Sequence, residues 1–397
     1  MSNVRLHKAM IGTVCVAAAA MTVLAACGSG GGASSATSGS AAPGGASASG
    51  SAGNVTGATS DLAKFTKTAP LAAMDSFNAG KLAGKRLEVI DCAPGAAPPV
   101  QITQGAAEAG KAAGLNVRVT TASQTNDVTQ DVQLLNQAVS RKPDAIITSC
   151  VSSFLTAPVA AAKKAGIPVV ATADMEPDAS KPGQGAGPNA FGVAGQSQTK
   201  SGYLLGEWIA AHGPTKAKIG IITTNDILSS SSIVNGYKSA IAKYCSACAT
   251  VYPNVSAADW TSQLTSATTA LLAANPDLNY VIPALDGQTP YVVPGLRASQ
   301  KLGKVDVLTT QGTVGAALGY VKSGDFSLDV GISENEVGWQ AVDQAMRGML
   351  RLSPEPQPAL QPVLVSTDSL KGTDSSEQAA VYGTAYEGAF KKIWGLQ

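Results

Sequence analysis

From Arg86 onward, short apolar runs alternate with longer amphipathic ones. That alternation predicts parallel sheet covered by helices on both faces. Strands are expected at 86–91, 116–122, 145–149 and 168–172. Between the second and third, Val128, Val132, Leu135 and Val139 recur at helical spacing, and Asp127 with Gln130 three residues on forms a capping-box pattern, so a helix begins there. The following helix stops at Gly166, with Pro168 just beyond it. A stretch rich in proline and glycine, 176–188, reads as a loop, and then the alternation resumes. Helices are expected at 197–211, 232–243, 258–273 and 290–301, interleaved with strands at 218–223, 250–253, 280–283 and 305–310. The pattern describes two α/β sheets in succession.

The chain has 397 residues, and the part from Asp61 onward is too long for one ordinary core and suits two domains. Ahead of it, Arg5 and Lys8 precede an apolar run that ends at Leu24, Ala25, Ala26 and Cys27, the layout of a secretory signal. The run falls short of the roughly 20 apolar residues of a spanning helix, which makes an uncleaved anchor the weaker reading. The last four of these residues resemble the lipobox of bacterial lipoproteins, implying a signal at 1–26 and a diacylglycerol-bearing Cys27. Residues 28–60 are almost entirely Gly, Ala, Ser and Thr, a composition that buries no core and predicts a disordered spacer with an r.m.s. span of about 30 Å.

Charge and cysteine usage narrow the function. Removing Arg5 and Lys8 with the signal takes the formal net charge from +1 to −1, and no basic patch for nucleic acid is indicated. Setting aside Cys15 in the signal and Cys27 at the anchor, Cys92, Cys150, Cys245 and Cys248 remain, which allow three pairings in an oxidising compartment. Cys245 and Cys248 follow a helix rather than open one, so a structural disulfide is favoured over a redox-active C-x-x-C. Cys92 and Cys150 each stand just past the end of a strand, the first and third, which are neighbours in the usual doubly wound order. They are either a disulfide lining a cleft, worth roughly 4 kcal/mol on the chain-entropy model, or two buried free thiols. His212 is the one histidine outside the signal, so neither a Ser-His-Asp triad nor a His-rich zinc site can be assembled. Gly183, Gly185 and Gly187 lack a helix to make a dinucleotide loop, and no P-loop is present. Neither cofactor nor metal is expected, and an enzyme is the least favoured class.

Lys142, Pro143, Asp144, Ala145, Ile146 and Ile147, then Ala161 to Ala165 followed by Gly166, Ile167, Pro168, Val169 and Val170, resemble the first lobe of the type I periplasmic binding proteins, above all their ribose-binding group. The likeness continues at Ala258, Asp259 and Trp260, at Asn275, Pro276 and Asp277, and at Gly338. It implies two Rossmann-like lobes with parallel sheets flanked by helices, joined by three crossings near Ala194, Ser333 and Val365. The first lobe is then 61–194 with 333–365, and the second 195–332 with 366–397. Ligand would lie between strand C-termini.

Carried over by position, Trp260 matches the aromatic that stacks on a sugar ring, the alternative being a core tryptophan at a helix start capped by Asp259. Ser149 stands in place of an amide, Asp174 lies at or one place beyond an acid, and Gln311 replaces an acid. An arginine falls near Ser231 and an asparagine on Leu285, next to Asp286, while an aromatic pair falls on Pro98 and Pro99. The candidate ligand set is therefore Cys92, Ser149, Asp174, Ser231, Trp260, Asp286 and Gln311. With several hydroxyl-binding groups missing, the resemblance implies a solute less polar than a simple sugar. The expected protein is a monomeric, extracytoplasmic, lipid-anchored receptor that serves an ABC permease and its ATPase. The alternative is a ligand-sensing subunit for a signalling receptor. Homologous repressors carry a DNA-binding domain where this chain has a signal and spacer.

If Cys27 carries the lipid, Cys27→Ala abolishes incorporation of a fatty-acid analogue during metabolic labelling; label retained by the variant would refute the anchor.

Overall fold

A computed structural model describes residues 52–123, 127–150, 155–172, 189–315, 317–355 and 359–396, with the side chains of 52–56 excepted. The signal, Cys27, Asp174 and the loop expected at 176–188, with its three glycines, lie outside these residues. The described residues form one compact unit.

The unit opens with a helix, α1 (Ala52–Leu62), inside the stretch expected to be spacer. Small side chains do not prevent a helix that has a surface to cover: Ala58 is fully buried and Leu62 joins a hydrophobic core. The chain then forms β1 (Arg86–Asp91), α2 (Ala97–Ala112), β2 (Asn116–Thr121), α3 (Val128–Ser140), β3 (Ala145–Thr148), α4 (Thr156–Lys164), β4 (Val169–Ala171) and β5 (Gly192–Val193). These strands make a parallel sheet in the order β2-β1-β3-β4-β5. The Asp127 carboxylate accepts from Gln130 N–H at the start of α3, as its spacing predicts.

The second body runs α5 (Gln198–His212), β6 (Lys218–Ile222), α6 (Leu228–Tyr244), β7 (Ala249–Val251), α7 (Trp260–Ala274), β8 (Tyr280–Pro283), α8 (Thr289–Ala298), β9 (Asp306–Gln311), α9 (Ala317–Ser323) and β10 (Leu328–Gly331). After α10 (Glu334–Met349) come β11 (Val363–Val365), α11 (Gln378–Tyr382) and α12 (Ala385–Ile393). The second sheet has the order β11-β10-β9-β8-β6-β7, antiparallel only between β10 and β11. Central strands such as β3 and β8 are buried along their whole length, as a sheet covered on both faces requires. In both sheets the strand order turns around beside the first strand, so the C-terminal ends of β1 with β3, and of β6 with β8, open the switch-point crevices where ligands bind in such folds.

Each lobe is closed by a helix pair packed at backbone distance. A β-carbon on Gly202 of α5 would sit 1.8 Å from Ile233 O of α6, and one on Gly236 would sit 1.9 Å from Thr199 O. In the first lobe α10 takes the part of α5: a β-carbon on Gly338 would lie 2.3 Å from Ala106 N, and one on Gly105 would lie 2.3 Å from Asn335 O. The first lobe thus receives this helix from far down the chain.

Crossings occur near the expected places. At the first, Gly195 N–H donates to the Gln340 side chain and Gln196 bridges to Leu360. The second follows β10, and the third leads from Leu360 into β11. Three boundaries differ from expectation. The strand β11 belongs to the second sheet rather than the first lobe. Residues 366–397 are shared between lobes, because Tyr382 of α11 is buried in the second-lobe core whereas α12 returns to the first. The cause is an aromatic stripe, Tyr386, Phe390 and Trp394, spaced to fall on one helix face. Trp394 stacks on Trp339 with ring centroids 5.4 Å apart, and its indole N–H donates to Asp343 at 2.8 Å. Finally, α1 packs on α5 and α6 of the second lobe, with Tyr244 donating to Asp61, before the chain reaches the first lobe through Phe77 N–H on Ile393 O and Ala79 N–H on Trp394 O.

Gly202→Ala should lower unfolding free energy by about 1–3 kcal/mol in urea titrations, since a methyl group has no room there. Gly319→Ala, in α9 with nothing within 4 Å of the added carbon, should be neutral or stabilising by up to about 1 kcal/mol. Equal effects would contradict the close crossing.

Candidate functional site

The crevices at the two sets of strand ends are bridged. A β-carbon on Gly287 would lie 3.9 Å from Ala96 Cβ, at the start of α2. Gln101 of α2 donates to Val314 O at 3.5 Å and accepts from the Gln378 amide at 2.6 Å. The first-lobe residues Ala96 and Gln101 therefore touch three segments of the second lobe.

On the first-lobe side, Cys92 and Cys150 are joined as a disulfide with Cα atoms 4.9 Å apart. Ser149 is buried between them, its Oγ accepting from Cys92 N–H at 3.3 Å. Asp91 is buried, and its carboxylate accepts from Ala93 N–H; burial pushes that carboxyl up despite the bond. The second disulfide, Cys245 with Cys248, closes a tight turn between α6 and the start of β7, not at the C-terminal strand ends.

On the second-lobe side, Trp260 opens α7 and is 7% exposed. Its indole N–H donates to Thr224 Oγ1 at 3.0 Å, which also accepts from the Gln288 amide and itself donates to Val255 O. Asp259 makes no side-chain cap to α7. The ring edge lies under Gly287, where a β-carbon would be 3.0 Å away, and this glycine is what lets the loop after β8 pass between Trp260 and Ala96. Gln311 holds φ at 99°, a left-handed backbone that a non-glycine residue adopts only under constraint. Its side-chain oxygen accepts from Asp286 N–H at 3.1 Å. Ser231 lies on the exposed side of α6, which begins at Leu228 rather than at the expected 232; Ser229 and Ser230 turn inward, and Ser230 Oγ accepts from Thr224 N–H. Of the candidate set, Cys92 with Ser149 forms one cluster, and Asp286 with Gln311, beside Trp260, forms the other.

Sequence reasoning named Asp286 but missed the acids that lie with it, Asp329 and Glu334. Asp286 accepts from Thr309 Oγ1 and Thr313 N–H, both at 2.8 Å, and Asp329 accepts from Gly312 N–H at 2.9 Å. Both carboxyl groups are buried. Burial raises Asp286 to about 6, and burial together with the neighbouring Asp286 charge holds Asp329 well above the carboxylate range. With both ionised neither can donate, and Asp329 Oδ2 has no donor facing it among the described residues; a proton on Asp329 supplies one. Burial and the Asp286 charge likewise push up Glu334 at the start of α10. The available signal was an aspartate in the middle of the apolar run 328–332. Thr224, Gln288, Gln101 and Gln378 had no signal beyond their positions near strand or helix ends.

Two α/β lobes with facing switch-point crevices, tied by several chain crossings and carrying a buried ring and amide–acid network at the rim, define a two-lobed solute receptor of the type I architecture. The chain belongs to the periplasmic binding protein domain family, whose profile matches residues 99–349. That membership makes it an extracytoplasmic solute-binding protein. No curated protein matches the chain. Similar solved structures include an ABC transporter solute-binding protein from Agrobacterium vitis bound with α-D-tagatopyranose, at 20% identity and TM-score 0.66, covering 76% of this chain and 100% of that one. Another, from Actinobacillus succinogenes 130z with bound D-allose, has 22% identity and TM-score 0.63 over 72% of this chain and 99% of that one. A third, from Mycobacterium smegmatis with bound glycerol, has 19% identity and TM-score 0.63 over 74% and 97%. At these identities the likeness is one of fold.

The acid pair sets a pH dependence. Both folded-state pKa values are raised, so the stabilisation from neutral carboxyls is complete below about pH 4 and is lost as pH rises through about 6 and beyond, at up to about 1.4 kcal/mol per pH unit per proton. Asp329→Asn fixes a neutral donor in place. Its urea midpoint should gain on that of the parent from pH 5 to pH 8, whereas parallel profiles would exclude a shared proton.

Proposed function

We propose that this protein is the lipid-anchored receptor of an ABC importer, capturing a small sugar-like solute between its lobes and delivering it to a membrane permease. The observation that carries the reading is the pair of switch-point crevices at strand C-termini, with bonds already reaching from α2 to the second lobe. The transport context and the solute class are supported by what the similar structures hold: a hexose, a ketohexose and glycerol. Anchoring is supported by the lipobox-like residues ending at Cys27. The mechanism is binding rather than turnover. A solute that touches both lobes stabilises the closed form by its differential affinity, and that difference is what a permease can read.

Within this reading Trp260 is the main apolar wall of the site. A ring held by Thr224 through its N–H is fixed in orientation, and in this role it would contribute by area rather than by hydroxyl-specific bonds. The loss of several polar partners favours a solute with fewer hydroxyls than a free pentose or hexose. Cys92, Ser149, Asp286 and Gln311 belong to the rims of the two crevices.

A thermal-shift screen of residues 48–397 against sugars, polyols, aromatics and amino acids tests the function, because a ligand that binds only the folded state raises the midpoint. The fragment must include α1, which is packed in the second lobe. With a hit in hand, Trp260→Ala should weaken binding by about 1–3 kcal/mol in calorimetry while circular dichroism stays unchanged. Unaltered affinity in the folded variant removes the wall, and preferred tight binding of a simple pentose overturns the view of the solute.

A further inference from the structure

The Cys92–Cys150 bridge has a third party. Asp131, in the first turn of α3, points its carboxylate at the sulfurs, so that Cys92 Sγ, Cys150 Sγ and an Asp131 oxygen all lie within 4.8 Å of one another. All three residues are at most 3% exposed, and Asp131 Oδ1 has no hydrogen-bond partner among the described residues. An unpartnered buried carboxylate oxygen is costly and calls for an explanation. Among the described residues no cation offsets it, and the charged groups acting on Asp131 are the acids Asp127 and Asp91. A metal cation would supply the partner that this oxygen lacks.

We propose that the reduced form of this pair, with Asp131, is a three-ligand site for a borderline-soft divalent metal ion such as Zn²⁺. Two thiolates and a carboxylate match the ligand preferences of that ion and leave a fourth position open. The sulfurs stay together without the S–S bond because the backbone places them. Cys92 N–H donates to Ser149 Oγ at 3.3 Å, Cys150 N–H donates to Thr148 Oγ1 at 3.2 Å, and β1 pairs with β3 up to Ile90 and Thr148. The chemistry balances with a named reductant. A phosphine gives two electrons to the S–S bond and becomes its oxide, water supplying the oxygen and the two protons that complete the thiols. The metal ion then displaces both thiol protons and binds two thiolates and the Asp131 carboxylate. Oxidation of the pair removes both thiolates, so metal and disulfide are mutually exclusive states of one site.

The test uses the full chain with serine at Cys15, Cys27, Cys245 and Cys248, so that a single cysteine pair remains. After phosphine reduction and anaerobic desalting, it is titrated with Co²⁺ as a spectroscopic probe, with near-ultraviolet circular dichroism to follow the fold. One Co²⁺ per chain with thiolate-to-cobalt charge-transfer absorption is expected after reduction, and none before it. Removing even an outer-shell partner commonly costs 10-fold or more, so Asp131→Asn should weaken uptake by at least about tenfold. Absence of uptake by the reduced chain, folded or unfolded, overturns the site, as does affinity unchanged in Asp131→Asn. The solute screen is independent of this outcome.

Discussion

Two helix pairs packed at backbone distance hold the architecture, and each depends on reciprocal glycines. In the second lobe, α5 and α6 flank β6 and are neighbours in sequence, so Gly202 and Gly236 only set how closely they pack. In the first lobe the corresponding partner of α2 is α10, delivered after the chain has completed most of the other lobe. Gly105 and Gly338 make that delivery possible. The crossings follow from it: the chain must leave β10 to supply α10, and must return to add β11 at the edge of the second sheet. The hinge is thus a by-product of completing one lobe with a late helix.

The same late segment brings charge to the hinge. Glu334 begins α10, directly after the crossing, and lies close enough to the Asp286 and Asp329 pair to feel its charge. Those acids hold the N–H groups of Gly312 and Thr313, the loop that follows β9 and reaches Gln101 of the first lobe through Val314. Protonation inside the second lobe is therefore mechanically next to the contact between lobes. A neutral Asp329 satisfies the pair, and an ionised one leaves two buried charges facing each other.

Much of the fold was legible because both sheets obey simple periodicities. The strands β1, β3 and β8 fall where apolar runs place them, and α3 begins where Asp127 and Gln130 predict. The ends of the folded unit were not legible. Residues 52–60 have a spacer's composition, and only the surface offered by α5 and α6 makes a helix of them. The stripe Tyr386, Phe390 and Trp394 went unread, because its partner Trp339 lies in the late helix. The candidate site was half legible. Cys92 was placed by its position just past a strand, and Ser149, Trp260, Asp286 and Gln311 by the family resemblance; the structure gathers them into two clusters, Cys92 with Ser149 and Asp286 with Gln311 beside Trp260. The network that fixes them, Thr224, Gln288 and Asp329, depends on loop geometry and on contacts between segments far apart in sequence. Ser231 illustrates the limit: a shift in the start of α6 turns it outward and its neighbours inward.

The placement of the two terminal helices has a practical corollary. The folded unit begins with α1 on the second lobe and ends with α12 on the first, so its two chain ends ride on different lobes. Chromophores attached at those ends form a built-in ruler for the angle between the lobes. Closure of a receptor of the proposed kind would then be readable as energy transfer, with no label inside the cleft to compete with the solute.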